Sequence, residues 1–358
     1  MFTQMRTPSL RERVLRSPLV DLLTGPHGVD RYTELVEPTW TLGEARATVT
    51  AVRRTTPRSV TLTLKPNRVF TGLRAGQHIN LSVEIDGRRR SRSYSPANAE
   101  GDRLIELTIG RHEGGLVSTY LCEHARPGMV VGLDSVGGDF VLPDERPRQI
   151  LFVSGGSGIT PVLSMLRTLH AEGYSGEVAF VHYARSAAEA CYRQELAGLS
   201  GVRVLHGYTR ETAGTDLSGR FDAAHLAAAV PAVRPDLAVF VCGPPDLVDA
   251  VRALRPDARA ESFVPPTFDL PAEASGGRVS FADSGVEIPD DGRPLLEQAE
   301  QAGLNPESGC RMGICHSCTR RKTRGAVKNL ITGAVSSAEE EDVQICVSVP
   351  VGDVDIAL

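Results

Sequence analysis

Residues 309–318 read Gly309-Cys310-Arg311-Met312-Gly313-Ile314-Cys315-His316-Ser317-Cys318, and Cys346 follows after a gap of 27 residues. The spacing Cys-x4-Cys-x2-Cys with a distant fourth cysteine is typical of thiolates that ligate a [2Fe–2S] cluster. Gly309 and Gly313 let the backbone come close to bridging sulfides, because glycine has no Cβ. We therefore predict that Cys310, Cys315, Cys318 and Cys346 ligate one cluster, and that the rest of the chain supplies its electrons.

Two other uses of these cysteines are a structural zinc site and disulfide bonds. Zinc sites usually take their cysteines as two matching pairs, whereas this chain groups three and places the fourth far away. Disulfide scaffolds are typical of short secreted chains, but this chain has 358 residues, and residues 1–16 lack the apolar core of a secretory signal. We expect a cytoplasmic protein in which Cys122 and Cys191 are buried as small apolar residues.

The composition narrows the class of protein. Hydrophobic residues make up 41% of the chain and charged residues 23%, as in ordinary globular proteins, and no apolar run is long enough to span a membrane. Residues 278–358 hold 8 basic and 13 acidic residues, so the net charge of −5 belongs to this segment. Such a surface could attract a basic redox partner or simply be solvated. No basic stripe with interleaved aromatic residues predicts nucleic-acid binding.

The hydrophobic pattern changes twice upstream of the cysteines. From Arg46 it consists of short β-branched segments between Pro, Gly and Asn turns, which favours a small antiparallel β-barrel with one short helix at 116–124. From Gln149 short apolar strands alternate with helical segments, predicted at 161–170 and 187–197. That alternation is typical of a doubly wound parallel sheet in an α/β domain.

These changes predict a multidomain chain of five segments. A helical N-terminal extension at 1–43, in which residues 15–23 and 32–40 show helical spacing, precedes a flavin-binding β-barrel at 44–145. An α/β nucleotide domain at 146–263 is followed by a linker at 264–277 that is rich in Pro, Gly and Ala. The cysteine motif lies in a final α+β domain at 278–358, for which a β-grasp fold is expected.

Two motifs in the barrel segment have residue types that suit a flavin nucleotide. In Arg92-Ser93-Tyr94-Ser95-Pro96, an arginine can fork onto a diphosphate, a tyrosine two residues on can stack on a flat ring, and a serine can hydrogen-bond a ring nitrogen. Gly114-Gly115-Leu116-Val117-Ser118 opens the short helix, where backbone amides face an anion. Either motif could also be an ordinary strand end or glycine turn.

Two further motifs lie in the α/β segment. Ser154-Gly155-Gly156-Ser157-Gly158-Ile159-Thr160-Pro161 follows a buried strand and opens a helix. Its glycines permit close passage of a pyrophosphate at the helix N-terminus. Cys242-Gly243-Pro244-Pro245 ends a later strand, where ligands of parallel sheets gather. This cysteine could contact a nicotinamide ring, or it could be a buried residue before a Gly-Pro turn.

In this order, the four motifs resemble those of the ferredoxin–NADP reductase superfamily, and with the cysteine motif the chain is similar to reductases that serve oxygenases and desaturases. The resemblance covers residues 46–358. It implies an NAD(P)H-dependent oxidoreductase that passes electrons from FAD through the cluster to a separate protein. FAD is favoured over FMN because the helix start suits a diphosphate. The implied flavin-binding residues are Arg92, Ser93, Tyr94, Ser95, Gly115, Leu116, Val117 and Ser118.

The same resemblance implies the nucleotide-binding residues. Those cradling the nicotinamide nucleotide are Gly155, Gly156, Gly158 and Thr160, and those at the nicotinamide are Cys242, Gly243, Pro244, Glu261 and Phe263. The implied catalytic residues are Ser95, Cys242 and Glu261. No acidic residue ends the second parallel strand, where an NAD site prefers one. Arg185, Ser186 and Arg193 are therefore predicted to bind the 2′-phosphate of NADPH, unless they are solvated helix-cap residues.

The acceptor is less defined by sequence than the donor. A hydride carries two electrons and the cluster accepts one at a time, so a flavin is needed between them. Residues 19–40 are loosely similar to reductases paired with membrane fatty-acyl desaturases, and a Rieske or haem-thiolate oxygenase is an equally physical acceptor. The chain has no di-iron or haem pattern of its own, so a membrane would be reached only through a partner. A non-catalytic redox sensor or metal-binding module is the alternative function.

Overall fold

The computed structural model describes Val20 and residues 29–112, 114–263, 276–309, 311–313 and 316–358. The predictions made for residues 15–19 and 21–23, for most of the linker, and for Cys310 and Cys315 lie outside the described residues. No helix in the described part of the chain is long and apolar enough to cross a membrane.

The N-terminal extension is less helical than its pattern predicts. Helix α1 (Asp30–Thr33) is followed by turns, so the helical prediction for residues 32–40 is wrong beyond the first two. The Asp30 carboxylate accepts the N–H of Leu42 at 2.8 Å, which folds the chain back across α1. Four apolar side chains of this region are left exposed, namely Tyr32, Leu35, Val36 and Trp40.

The first sheet is antiparallel and has six strands in the order β4-β3-β6-β1-β2-β5. Its strands are β1 (Arg46–Thr56), β2 (Ser59–Pro66), β3 (His78–Ile85), β4 (Arg88–Tyr94), β5 (Ile105–Gly110) and β6 (Val130–Gly137). Alternating side chains such as Leu62 and Leu107 fill the interior, and helix α2 (Leu116–His124) adds Val117 and Leu121 to this core. The predicted barrel domain is confirmed.

The second sheet is parallel, in the order β10-β9-β8-β7-β11-β12. Its strands are β7 (Gln149–Gly155), β8 (Glu177–Ala184), β9 (Val202–Tyr208), β10 (Leu217–Ser218), β11 (Leu237–Cys242) and β12 (Arg259–Glu261). Its helices are α3 (Ile159–Ala171), α4 (Arg193–Ala197), α5 (Ala223–Ala229) and α6 (Pro245–Leu254). Strand order reverses beside β7, so a ligand crevice is expected at its carboxyl end. The predicted doubly wound fold is confirmed.

One predicted helix of this domain is wrong. Residues 187–197 form a 3-10 turn (Ala187–Glu189) and the short helix α4 instead of one continuous helix. Tyr192 lies between them with φ +60°, a left-handed conformation that interrupts a right-handed helix.

The third sheet is mixed and has one helix packed against it. Its strands are β13 (Arg278–Phe281), β14 (Val286–Pro289), β15 (Thr319–Asn329), β16 (Val335–Ser336), β17 (Glu341–Gln344) and β18 (Ser348–Ile356). The parallel pair β13–β18 lies inside the sheet, and helix α7 (Leu295–Gln301) buries Leu295 and Leu296 against it. The predicted α+β class of this domain is confirmed.

Candidate active site

The end of β4 brings the predicted flavin motif to the junction of the barrel and the nucleotide domain. Ile79 of β3 pairs with Tyr94, so His78 and Ser95 are the next residues across the ladder. Arg92 and Tyr94 lie two residues apart and therefore share one face of β4. Ser93 has turned to the other face, where its hydroxyl donates to Asn80 Oδ1 at 2.5 Å.

The start of α2 provides a site suited to a diphosphate. Gly115 is the N-cap and no side chain caps its amides, which leaves them to an anion. The Ser118 hydroxyl donates to Gly115 O and accepts from His112 N, both at 3.3 Å. A cavity of about 460 Å³ beside this turn includes Arg58 and Arg111 in its lining. Basic side chains and free amides at one place fit the phosphates of FAD.

The glycine loop between β7 and α3 packs directly against the end of β11. A Cβ on Gly158 would lie 2.2 Å from the carbonyl oxygen of Cys242, so only glycine allows this approach. Helix α3 also begins without a side-chain cap. The Thr160 hydroxyl donates to Ser157 O at 3.2 Å, so this predicted nucleotide-binding side chain is engaged within the loop itself.

A cavity of about 970 Å³ lies between the barrel and the nucleotide domain. One end is lined by the predicted nucleotide-binding residues Gly155, Gly156, Gly158, Gly243, Pro244 and Phe263. Its barrel wall includes Ser59 and Thr108. Such an elongated, two-domain cavity fits a nicotinamide nucleotide. Cys242 and Glu261 lie outside this lining.

The other end of the cavity carries arginines. Arg185 lines it as predicted, whereas Ser186 and Arg193 do not. Arg210 and Arg220, which the sequence analysis missed, line it instead. The Arg210 N–H donates to Arg185 O at 2.9 Å, so these two residues are neighbours at the ends of adjacent strands. The available signal was an arginine just after β9, the third parallel strand.

Three buried polar atoms without a hydrogen-bond partner lie on three segments that meet behind the nicotinamide end of this cavity. They are Ser95 Oγ, His78 Nδ1 and Glu261 Oε2. His78 Nδ1 lies 3.7 Å from Glu261 Oε1, and Glu261 pairs across the ladder with Cys242. Unpaired buried groups are costly. This set therefore fits a bound ring that supplies hydrogen-bond partners, as a flavin would.

The electrostatics of this set favour neutral groups. Burial raises the pKa of Glu261, and His78 opposes that rise. Burial also raises the pKa of Cys242 well above its usual value, with Glu261 contributing, so Cys242 is a neutral contact instead of a thiolate nucleophile. The sequence analysis missed His78, which begins the strand paired with the flavin motif.

The cysteine loop has the backbone of an anion site. Cys318 and Cys346 are both buried. Arg311, Gly313 and His316 all have positive φ, between 58° and 72°, which is rare for non-glycine residues. Alternating left-handed residues turn peptide N–H groups toward one concavity. The loop therefore fits an anionic iron–sulfur cluster.

This loop lies against the strand that carries the flavin motif. Arg92 Nη1 donates to Gly309 O at 3.3 Å, and Asn80 Nδ2 lies 3.5 Å from Ser317 Oγ. Gly309 immediately precedes the predicted ligand Cys310, and Ser317 precedes Cys318. The flavin motif and the cluster loop are therefore in direct contact, as electron transfer between them requires.

Family models match three consecutive parts of the chain. An oxidoreductase FAD-binding domain matches residues 49–141, an oxidoreductase NAD-binding domain 152–253 and a 2Fe-2S iron-sulfur cluster binding domain 280–351. These matches and the site geometry define an NAD(P)H-dependent oxidoreductase that carries FAD and a [2Fe–2S] cluster. The zinc and non-catalytic alternatives are set aside.

Curated relatives extend along nearly the whole chain. It is 37% identical to an NADPH oxidoreductase of Mycobacterium tuberculosis, over 92% of this chain and 89% of that protein. It is 30% identical to a glycine betaine monooxygenase reductase subunit of Pseudomonas aeruginosa, over 78% and 86%. The chain belongs to the ferredoxin–NADP reductase family of flavin iron–sulfur reductases, which pass electrons to a protein acceptor.

The fold has solved counterparts. The structure of phthalate dioxygenase reductase superposes with a TM-score of 0.60 at 23% identity, covering 87% of this chain and 97% of that chain. An intact type IV self-sufficient cytochrome P450 monooxygenase matches with a TM-score of 0.62 at 21% identity, covering 91% of this chain and 44% of that chain. At these identities the likeness concerns the fold.

Proposed function

We propose that this chain takes hydride from NADPH and delivers single electrons through its cluster to a separate oxygenase component. The carrying observation is the contact of the flavin motif with the cluster loop, at Arg92 and Gly309, beside a nucleotide cavity in the same chain. FAD, when bound, supplies the chemistry that converts a two-electron hydride into single electrons. The free thiols of the described cysteines support a cytoplasmic setting.

The side chains divide the work between binding and proton handling. Arg92 and the amides at the start of α2 would hold the flavin diphosphate, and Tyr94 would stack on the ring. Ser95 Oγ, which is buried and unpartnered, would donate to the ring nitrogen that receives hydride. Glu261 and His78 would hold the accompanying proton away from bulk water.

The arginine end of the cavity supports NADPH over NADH. Arg185 and Arg210 are neighbours there, and guanidinium groups suit a 2′-phosphate. Arg220 is already paired with Asp246 at 3.1 Å, which leaves the first two as the stronger candidates. A relative named as an NADPH oxidoreductase agrees with this preference.

Replacing Arg210 should separate the two nucleotides. We expect Arg210→Ala to raise KM for NADPH about tenfold or more, because a charge-assisted hydrogen bond is lost, and to leave KM for NADH unchanged. Cytochrome c reduction driven by each nucleotide measures this. Arg203→Ala is the control, because Arg203 is an exposed arginine on β9 outside the cavity lining. Equal effects of Arg210→Ala on both nucleotides would argue against a 2′-phosphate contact.

An oxygenase is the first candidate acceptor because relatives are named as reductase subunits of a monooxygenase and an epoxidase. A membrane fatty-acyl desaturase is the second candidate. It is favoured by the apolar side chains exposed next to the barrel, which would suit a membrane-bound partner. These are Tyr32, Leu35, Val36 and Trp40.

Direct reconstitution distinguishes the two acceptors. The purified protein with NADPH is mixed with a Rieske-type oxygenase component or with a membrane-bound desaturase in vesicles. We expect substrate oxidation with the oxygenase, and none when either protein is omitted. Turnover with the desaturase alone would favour the second candidate. Heat-denatured acceptor controls for direct loss of electrons to oxygen.

A further inference from the structure

A network of hydrogen bonds crosses from the nucleotide domain to the barrel at Arg167 of α3. Its Nη1 donates to Glu106 Oε1 and to Ala97 O in the barrel, both at 2.9 Å. Its Nε and Nη2 pair with the two carboxylate oxygens of Glu195 on α4, at 2.7 and 2.6 Å. One guanidinium therefore joins α3, α4 and the barrel strand β5.

Tyr192 completes this network at the left-handed residue before α4. Its ring lies 5.2 Å from the Arg167 guanidinium. Its hydroxyl donates to Glu106 Oε1 at 3.0 Å and lies 2.5 Å from Thr108 Oγ1. A left-handed conformation is costly for a bulky residue, so the surrounding contacts have to hold it. The barrel side of the network is thus what fixes the backbone at Tyr192.

The segment around Tyr192 is a wall of the nucleotide cavity. Glu189 and Cys191 line the cavity, as does Thr108 on the barrel side. Cys191 Sγ also lies 3.7 Å from Ser59 Oγ of the barrel. Between β8 and β9 this wall has only a 3-10 turn and the five-residue helix α4 as regular structure. Its position therefore depends on the barrel as well as on its own domain.

We propose that Arg167 is a positioning residue that holds this wall against β5 and so keeps the cavity formed before the nicotinamide nucleotide binds. Arg167 does not itself line the cavity, so it acts through Tyr192 and Glu195. A preformed site avoids the cost of ordering a loop on binding. The inference rests on the proposed function in one respect, that the occupant is NADPH.

The test compares two arginines with the same kind of ion pair. Arg167→Met should raise the Kd of NADP⁺ about tenfold, measured by the change in flavin absorbance of the FAD-loaded protein, with the FAD content unchanged. The flavin reduction rate at saturating NADPH should change less than Kd. Arg167→Lys should restore binding in part, because an ammonium cannot fork. Arg146→Met is the control, because Arg146 pairs with both oxygens of Glu172 at the surface, at 3.1 and 2.7 Å, and should leave Kd unchanged.

Each outcome is decisive. If Arg167→Met keeps its FAD and binds NADP⁺ as tightly as the parent, the proposal is wrong. If that variant loses FAD or fails to fold, Tyr192→Phe, which removes one hydroxyl, takes its place. It should raise Kd about threefold, and an unchanged Kd would overturn the proposal. A parent protein that binds no NADP⁺ would instead refute the proposed function.

Discussion

Cytochrome c reduction driven by NADPH should fall on the order of 100-fold in Cys346→Ser, while ferricyanide reduction stays within about twofold of the parent. Cys346 is buried between β17 and β18, and Gln344 two residues earlier donates to Gly313 O of the cluster loop at 2.6 Å. A serine hydroxyl is a poor substitute for a soft thiolate ligand. Ferricyanide is a small oxidant that can take electrons directly from flavin, so its reduction reports on the steps before the cluster.

Two measurements make this result specific. Iron and acid-labile sulfide should drop in Cys346→Ser while the FAD content stays at that of the parent. Cys122→Ser is the matched control, because Cys122 is buried in the barrel, where its thiol donates to Ile109 O at 3.6 Å, and a hydroxyl can make the same bond. Equal loss of both activities in Cys346→Ser would contradict the placement of the cluster after the flavin. Unchanged iron content would contradict its role as a ligand.

Local patterns explain why the three domains could be predicted from sequence. Strands of the barrel and of the parallel sheet differ in periodicity and in spacing, and both signals lie within short windows. The break at Tyr192 could not be predicted this way. Its hydroxyl contacts Glu106 and Thr108, which lie 86 and 84 residues earlier in the chain. Residues 187–197 have a helical pattern, and distant contacts override it.

The nucleotide site shows the same division between local and distant determinants. Glycine motifs could be placed because a strand, a glycine turn and a helix are adjacent in sequence, and Gly158 meets Cys242 where the motif predicts a ligand. Arg210 and His78 belong to no motif, and sheet pairing alone brings them to the site. Arg193 was predicted at the 2′-phosphate, but it follows the reversal at Tyr192 and influences the pKa values of His206 and Tyr208 instead.

Glu261→Gln should slow flavin reduction by NADPH on the order of 100-fold, the usual cost of losing a general acid–base group, and should leave the Kd of NADP⁺ within about twofold of the parent. Burial raises the pKa of the Glu261 carboxyl, with His78 opposing that rise. A carboxyl whose pKa lies closer to neutrality can hold and release a proton at working pH, and an amide of similar shape cannot. Stopped-flow absorbance at saturating NADPH, repeated from about pH 6 to 9, measures the rate, and the limb that titrates in the parent should be missing in the variant.

Two variants test whether the effect comes from this proton. Asp257→Asn is the control, because Asp257 is an exposed carboxylate just before the same strand, paired with Arg255 at 2.7 Å, and it should not change the rate. His78→Gln removes the group that lowers the pKa of Glu261. The pKa of Glu261 should then rise further, so the titrating limb should move to higher pH. A rate in Glu261→Gln equal to that of the parent across the pH range would show that this carboxyl carries no proton in the reaction, even though it is buried between Cys242 and His78.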